Sequence, residues 1–344
     1  MSKNGEYKMR KIKIGIIGLG YIGRIHLRHG LELPNIEVSG VADLSRKALK
    51  MAKNLGVEKR YSNYVDLLKD PEIEAVLIGL PTHLHLQCTR DAAEAGKHVF
   101  LEKPIARNVK EAKEVISVTQ KNSVKLMIGY PMRFNTAFRG IKKKMADGTL
   151  GDVENAHATY VSLGPFSHRV EVSRDQGHIP TPVPDWWFKK ELTGGGALID
   201  LGSHIINLLR WYFGEIIDIK GYFGHRFNMD FEDSAMCLAK FDSGTVAVIN
   251  VGWYSQEYRL SIELLGTVSH ERVLNSPPNP LVTAVQMLAT GRSRFYQPHL
   301  DELQYFTNCL INDLTPSPSG QDGLNDIAAI CKAYEHRVEL EDLI

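Results

Sequence analysis

The polar residues around position 200 are the first to invite a chemical reading. Asp200, Ser203, His204 and Asn207 fall at i, i+3, i+4 and i+7, in a run otherwise built from Leu198, Ile199, Leu201, Ile205, Ile206, Leu208, Leu209 and Trp211. At about 100° per residue, that spacing puts the four on one helix face. A solvated face would carry Lys and Glu, and only Arg210 fits that description. Buried polar groups are costly unless they are paired or serve a site. The stripe therefore reads as a candidate site, with an ordinary amphipathic helix as the bland alternative. Histidine titrates near neutrality and is a natural base for a hydroxyl proton. Gly194, Gly195 and Gly196, just before the stripe, let the backbone come close to a neighbour.

Two more groups sit where predicted strands end. Glu102-Lys103-Pro104 closes a strand predicted at 98–101. There Lys103, held by the restricted backbone before a proline, can set a positive charge beside a reacting oxygen. A surface lysine entering a turn is the alternative. Pro81-Thr82-His83-Leu84-His85 follows a strand predicted at 75–80. Open parallel sheets bind ligands at such strand ends. The two histidines hint at a metal, but no third ligand stands at a recognisable spacing, so no metal is expected.

Gly18-Leu19-Gly20-Tyr21-Ile22-Gly23 matches G-x-G-x-x-G between a predicted strand and a predicted helix. Gly18 suits a tight turn, Gly20 a close approach to a pyrophosphate, and Gly23 close packing of helix on strand. The helix N-terminus offers N–H groups and the positive end of its dipole to phosphates. Asp43 stands about 20 residues further on, where a carboxylate can accept from ribose hydroxyls. Its charge favours NAD over NADP, although Arg46 is near enough to meet a 2′-phosphate. The expected cofactor contacts are Gly18, Gly20, Tyr21, Ile22, Gly23, Asp43, Arg46, Pro81, His85, Glu102 and Lys103. A glycine-rich turn in another α/β protein, such as a methyltransferase, is the competing reading.

The elements that would position these groups are legible as strand–helix alternation. Strands are expected at 12–18, 37–43, 75–80, 98–101 and 125–130, and helices at 21–32, 45–55, from the 75–80 strand to 95, and 108–121. Such alternation implies a doubly wound parallel sheet. Beyond about residue 151 a Pro- and Gly-rich loop at 163–196 leads to the helix at 197–213. Strand-like segments follow at 216–227, 234–241, 245–254 and 259–265, with Asp242-Ser243-Gly244 as a hairpin turn. Helices at 298–312 and 321–339 close the chain. The expectation is an α/β protein: a Rossmann domain at 10–134, and an α+β domain at 135–344 on an open, mostly antiparallel sheet.

Bulk composition sets the outer limits. A chain of 344 residues with 43% hydrophobic and 24% charged side chains can bury a core without staples. Formal net charge is +1, from 41 basic and 40 acidic residues, which argues against a general nucleic-acid binder. The run Lys142-Lys143-Lys144 reads as a solvated helix face. The 4 cysteines are widely spaced and form no C-x-x-C pair, which suits a reducing cytoplasm and no structural zinc. No membrane span and no signal peptide are expected.

With these residues in view, the chain resembles the Gfo/Idh/MocA oxidoreductase family, which includes glucose–fructose oxidoreductase and inositol dehydrogenase. The marks are GLGYIG, Asp43, Pro-Thr-His-x-His, GKHVFLEKP ending at Pro104, and GGGALIDLGSH ending at His204. The resemblance implies an NAD-dependent dehydrogenase acting on a secondary hydroxyl of a sugar or cyclitol. It implies His204 as the base, Lys103 bonded to the reacting hydroxyl, and Asp200 orienting the substrate. Family members often carry an acidic residue where this chain has Asn207, which puts in doubt a substrate contact needing a carboxylate. Tyr130, Arg133, Asn207 and Trp187 are the further substrate candidates.

Two alternatives stand beside that reading. One is a nucleotide-sugar dehydrogenase, for which the loop from Phe166 to Lys190 holds His168, Arg169, Arg174, His178, Trp186 and Trp187. Arginines there could meet a diphosphate, and the same loop could instead pack on a neighbouring subunit. The other is a non-catalytic, NAD-bound regulator. A homodimer or homotetramer through the C-terminal sheet is expected from the resemblance, with no nucleic-acid or membrane partner.

Overall fold

Isoleucine, valine and leucine fill the first strands because both of their faces are covered. In a computed structural model that describes residues 10–165, 170–173, 177–180, 184–227, 229–275 and 296–338, six strands form one parallel sheet. They are β1 (Ile12–Ile17), β2 (Ile36–Ala42), β3 (Arg60–Tyr61), β4 (Ala75–Ile78), β5 (His98–Glu102) and β6 (Leu126–Gly129), in the order β3-β2-β1-β4-β5-β6. All four residues of β4 are fully buried, as expected of a central strand with helices on either side. The connecting helices are α1 (Tyr21–Glu32), α2 (Arg46–Asn54), α3 (Tyr64–Leu68), α4 (His85–Glu94) and α5 (Val109–Lys121). Ser45 caps α2 by accepting from the Ala48 N–H, and Asn108 caps α5 by accepting from Glu111. Strand order reverses between β1 and β4, so a crevice opens at the carboxyl ends of these strands.

After α6 (Thr136–Ala146), the second sheet contains β7 (Val153–Val161) and, further along, β10 (Ile216–Gly224), β11 (Ser234–Phe241), β12 (Val246–Gly252), β13 (Arg259–Gly266) and β14 (His270–Asn275). Its order is β10-β11-β12-β7-β13-β14. Only β7 and β12 run parallel; the other pairs are antiparallel. Two of these strands, β7 and β14, have no counterpart among the expected segments. The inner face of β7 is carried by Ala156 and Ala158, too small to mark a period-2 pattern, and β14 is an edge strand. The expected loop at 163–196 holds its own short elements: β8 (Val170–Ser173), β9 (Gly177–Pro180) and α7 (Lys190–Thr193).

The expected helix at 197–213 divides into a π-helical turn, Leu198–Gly202, and α8 (Ser203–Phe213). The two closing helices, α9 (Gln297–Ile311) and α10 (Gly320–Glu335), return to the first sheet. Leu300, Leu303, Phe306 and Leu310 of α9 share a core with Ile12, Ile14, Leu27 and Phe100. The Lys142–Lys144 run is not simply a solvated face. Lys142 donates to the Trp211 and Tyr212 carbonyls at the end of α8, and Lys144 pairs with Glu271. Cations belong at a helix C-terminus, where carbonyls are left over. Among the described residues no helix is long and apolar enough to cross a membrane.

Candidate active site

The glycine loop has the shape its spacing predicts. Gly18 has φ of 87°, a backbone that side chains other than glycine rarely adopt. A Cβ on Gly23 would lie 1.9 Å from the Gly18 carbonyl oxygen, whereas a Cβ on Gly20 would meet nothing within 4 Å. Gly20 is the N-cap of α1, and no side chain caps it. Open space over an uncapped helix start is what a pyrophosphate needs, so these residues fit a dinucleotide. Asp43 shapes the loop as well as facing it: one carboxylate oxygen accepts from Leu19 N at 2.6 Å and the other from Ser45 N at 2.7 Å. Arg46 is exposed in the first turn of α2. Tyr21 is 45% exposed, and Ile22 lies against Gly79.

A prediction follows from the two glycines. Gly20→Val is expected to weaken NADH binding by about tenfold or more while changing stability by under about 0.5 kcal/mol. Gly23→Ala is expected to destabilise the fold by about 1–3 kcal/mol. Fluorescence titration and urea unfolding read the two effects separately.

Two expected cofactor contacts have other work. His85 is buried, with Nδ1 2.9 Å from the Pro104 carbonyl and Nε2 2.8 Å from the Leu80 carbonyl. It ties the ends of β4 and β5 together, and neither ring nitrogen is left for a cofactor. Glu102 is buried against His26, whose Nε2 lies 2.6 Å from Oε1. Both assignments rested on position at a strand end; the partners come from elsewhere in the fold. Pro81, beside them, keeps partial exposure at the end of β4.

Lys103 and Asp200 meet across the crevice. Lys103 Nζ lies 2.9 Å from Asp200 Oδ1 and 3.0 Å from the Asp200 carbonyl. Their side chains are 17% and 13% exposed, so the pair is shielded yet reachable. Asp200 lies within the π-turn, and such turns recur at functional sites. Ser203 Oγ donates to the same carbonyl at 3.1 Å. Trp253 Nε1 donates to Asp200 Oδ2 at 3.2 Å, and the Trp187 ring stands edge-on to Trp253 with centroids 6.5 Å apart.

His204 sits one turn further, between the rings of Tyr130 and Tyr160, with centroids at 6.2 and 5.9 Å. Its Nδ1 has no hydrogen-bond partner among the described residues. Burial, then the Lys103 charge, then His299, hold the imidazole well below the usual histidine range. It is therefore neutral at pH 7 and able to accept a proton. Burial first, then Tyr258 and Asp200, raise the Tyr160 hydroxyl well above the ordinary tyrosine range.

Asn207 and Arg133 belong to a buried network and not to the open crevice. Arg133 Nε donates to Asn207 Oδ1 at 2.7 Å, and the Asn207 amide donates to Asp326 at 2.7 Å. Arg133 also reaches Asp322, and Arg210 holds Asp326 and Glu215. Tyr130 is fully buried; burial, then Asp326, raise its hydroxyl. The glycine run before Asp200 serves close packing. A Cβ on Gly196 would lie 1.7 Å from the Glu232 carbonyl oxygen, and one on Gly195 would lie 2.3 Å from the Tyr334 hydroxyl. Glu232, unflagged in the sequence, is buried and accepts from Leu198 N and Tyr334. His168, Arg169, Arg174 and the side chain of His178 lie outside the described residues.

The chain is similar to known proteins over most of its length. Residues 12–130 match the oxidoreductase family with an NAD-binding Rossmann fold known as GFO/IDH/MocA, and residues 138–269 match the C-terminal domain of the same family. The chain is 31% identical over 282 residues to an uncharacterised oxidoreductase of Rhizobium meliloti, covering 79% of this chain and 77% of that one. It is 27% identical over 347 residues to myo-inositol 2-dehydrogenase of Thermotoga maritima, covering 96% and 97%. The crystal structure of scyllo-inositol dehydrogenase from Lactobacillus casei, with NAD(H) and scyllo-inositol bound, superposes with a TM-score of 0.79. It is 24% identical and covers 95% of this chain and 97% of that one.

Proposed function

The chain belongs to the Gfo/Idh/MocA oxidoreductase family, and from that premise we propose that it oxidises a secondary hydroxyl of a sugar or cyclitol with NAD as partner. The observation that carries the proposal is the Lys103–Asp200 pair at 2.9 Å beside a neutral His204, at the carboxyl end of a parallel sheet. The substrate hydroxyl sits between Lys103 and His204. His204 takes its proton as general base, and the Lys103 ammonium stabilises the alkoxide that develops. Asp200 holds Lys103 in direction and offers its remaining lone pairs to a neighbouring hydroxyl. Nicotinamide, when bound, supplies the acceptor for the hydride. Read backwards, protonated His204 serves as the acid for carbonyl reduction. Asp43 favours NAD, because its carboxylate would repel a 2′-phosphate.

The test is turnover. The purified protein is incubated with NAD⁺, and separately NADP⁺, across inositols, aldoses and nucleotide sugars, following reduced-cofactor absorbance. Reduction on a cyclitol or simple sugar, faster with NAD⁺, supports the reading. Turnover confined to nucleotide sugars moves the substrate class, and cofactor binding without any turnover favours a regulator.

The sign of the pH dependence is fixed by His204. The base must be unprotonated to act. Its proton affinity in the fold lies below the ordinary value of about 6.5, so oxidation is expected to fall as the pH is lowered, with its midpoint below pH 6.5. A kcat/KM profile that already halves near pH 6.5 would assign the base elsewhere.

The outer face of the second sheet, with Ile217, Met236, Leu238 and Leu274 each at least 50% exposed, supports a second copy of the chain as its partner. Sedimentation of the wild type as a dimer or larger, with Leu238→Glu shifted toward monomer, is expected. A wild-type monomer at micromolar concentration contradicts it.

A further inference from the structure

Glu102, one residue before the proposed catalytic lysine, is part of a buried cluster that the mechanism leaves unused. Its Oε1 lies 2.6 Å from His26 Nε2 of α1, and its Oε2 accepts from the backbone N–H of Lys103 at 3.2 Å. From the far end of the chain, α9 brings Glu302 to the same place. Donor atoms of His26, Glu102 and Glu302 all lie within 4.8 Å of one another. Glu302 is 0% exposed, and neither of its carboxyl oxygens accepts a hydrogen bond from a donor among the described residues.

An ionised carboxylate without a donor is very unfavourable in such a place, and two adjacent carboxylates resist ionising together. Burial and then the Glu102 charge push Glu302 well above the usual carboxyl range. Burial would raise Glu102 too, but the His26 hydrogen bond holds it below that range, and the Lys103 charge adds to the effect. His299, on α9 itself, is driven down to about 3 by burial, then by His26, so it brings no positive charge; His29 of α1 stands near it. A shared metal ion fits poorly. Two ligands of one zinc-sized ion lie about 3.3 Å apart, whereas His26 and Glu102 are at hydrogen-bond length.

We propose that Glu302 is a positioning residue for Lys103: standing as a neutral acid, it gives a hydrogen bond to Glu102, and the carboxylate anchored between Glu302 and His26 fixes the Lys103 backbone. This deepens the dehydrogenase reading and rests on Lys103 as the group that meets the substrate hydroxyl. A helix remote in sequence thereby braces the end of the strand that carries the catalytic lysine.

The experiment compares the full-length wild type with Glu302→Gln and Glu302→Ala. Glutamine keeps a neutral donor and is expected to hold kcat within about threefold, whereas alanine lowers it by about tenfold or more with KM for NAD changed less. A difference infrared spectrum of wild type against Glu302→Gln is expected to show a protonated carboxyl at pH 7. Glutamine as poor as alanine, alanine as active as wild type, absence of the acid band, or one divalent ion per chain that Glu302→Gln loses would each overturn the proposal. Should Glu302→Ala fail to fold, the glutamine variant and the spectrum still decide. The spectrum needs no substrate, so a failure of turnover is separable from a failure of this proposal.

Discussion

Replacing His204 by alanine is expected to lower kcat for alcohol oxidation by about 10²–10⁴-fold, the range for a lost general base. The imidazole stands between Tyr130 and Tyr160, held neutral by burial and by the Lys103 charge. His85, the histidine nearest in the sequence pattern, places both ring nitrogens at hydrogen-bond distance from backbone carbonyls. NADH affinity should stay within about threefold, since the glycine loop and Asp43 lie on separate elements. Single-turnover kinetics at saturating cofactor isolate the chemical step. A variant that loses cofactor binding in parallel with kcat would make His204 a structural residue. Raising the pH should restore part of the activity, because hydroxide can replace a missing base.

Replacing Lys103 by methionine is expected to lower kcat by about 10²–10³-fold, as for removal of one stabilising group at a developing oxyanion. Methionine keeps the length of the side chain and removes the charge. The change also strips Asp200 of its cation, with the aspartate side chain only 13% exposed. A stability loss of about 1–3 kcal/mol should therefore accompany the catalytic loss. Lys103→Arg is not expected to rescue, because a planar guanidinium cannot meet both the Asp200 carboxylate and its carbonyl as the compact ammonium does. Measuring kcat beside urea unfolding separates the two effects. Full activity in Lys103→Met would remove the lysine from the mechanism.

The parts of the site that were legible in the sequence are those whose physics is local. Glycine spacing at Gly18, Gly20 and Gly23 speaks for a turn whatever surrounds it, and the strand–helix alternation around it is strongly periodic. The polar stripe on the 197–213 segment stood out because its neighbours are apolar. What escaped depends on partners distant in sequence. Lys103 and Asp200 are 97 positions apart, so their pairing could be suspected from residue type and not from spacing. Asn207 shares the stripe's spacing, but the π-turn and the arrival of Arg133 and Asp326 give it a buried partner set. Trp253 and Tyr160 are not among the expected site residues, because nothing local marks them. Glu102 appeared to face a ligand because it ends a strand, until α1 brought His26 to it. Strand β7 was silent because alanines carry its inner face.

The central claim is that a hydride leaves a carbinol carbon of the substrate while His204 holds the hydroxyl proton. The measurement that tests it most directly uses a cyclitol or sugar deuterated at its carbinol carbons, with mass analysis of the reduced cofactor. The account predicts one deuterium in each NADH formed by the wild type, and neither label nor NADH above background within the same time from His204→Ala. NADH formed without deuterium, or labelled equally fast by His204→Ala, would contradict it.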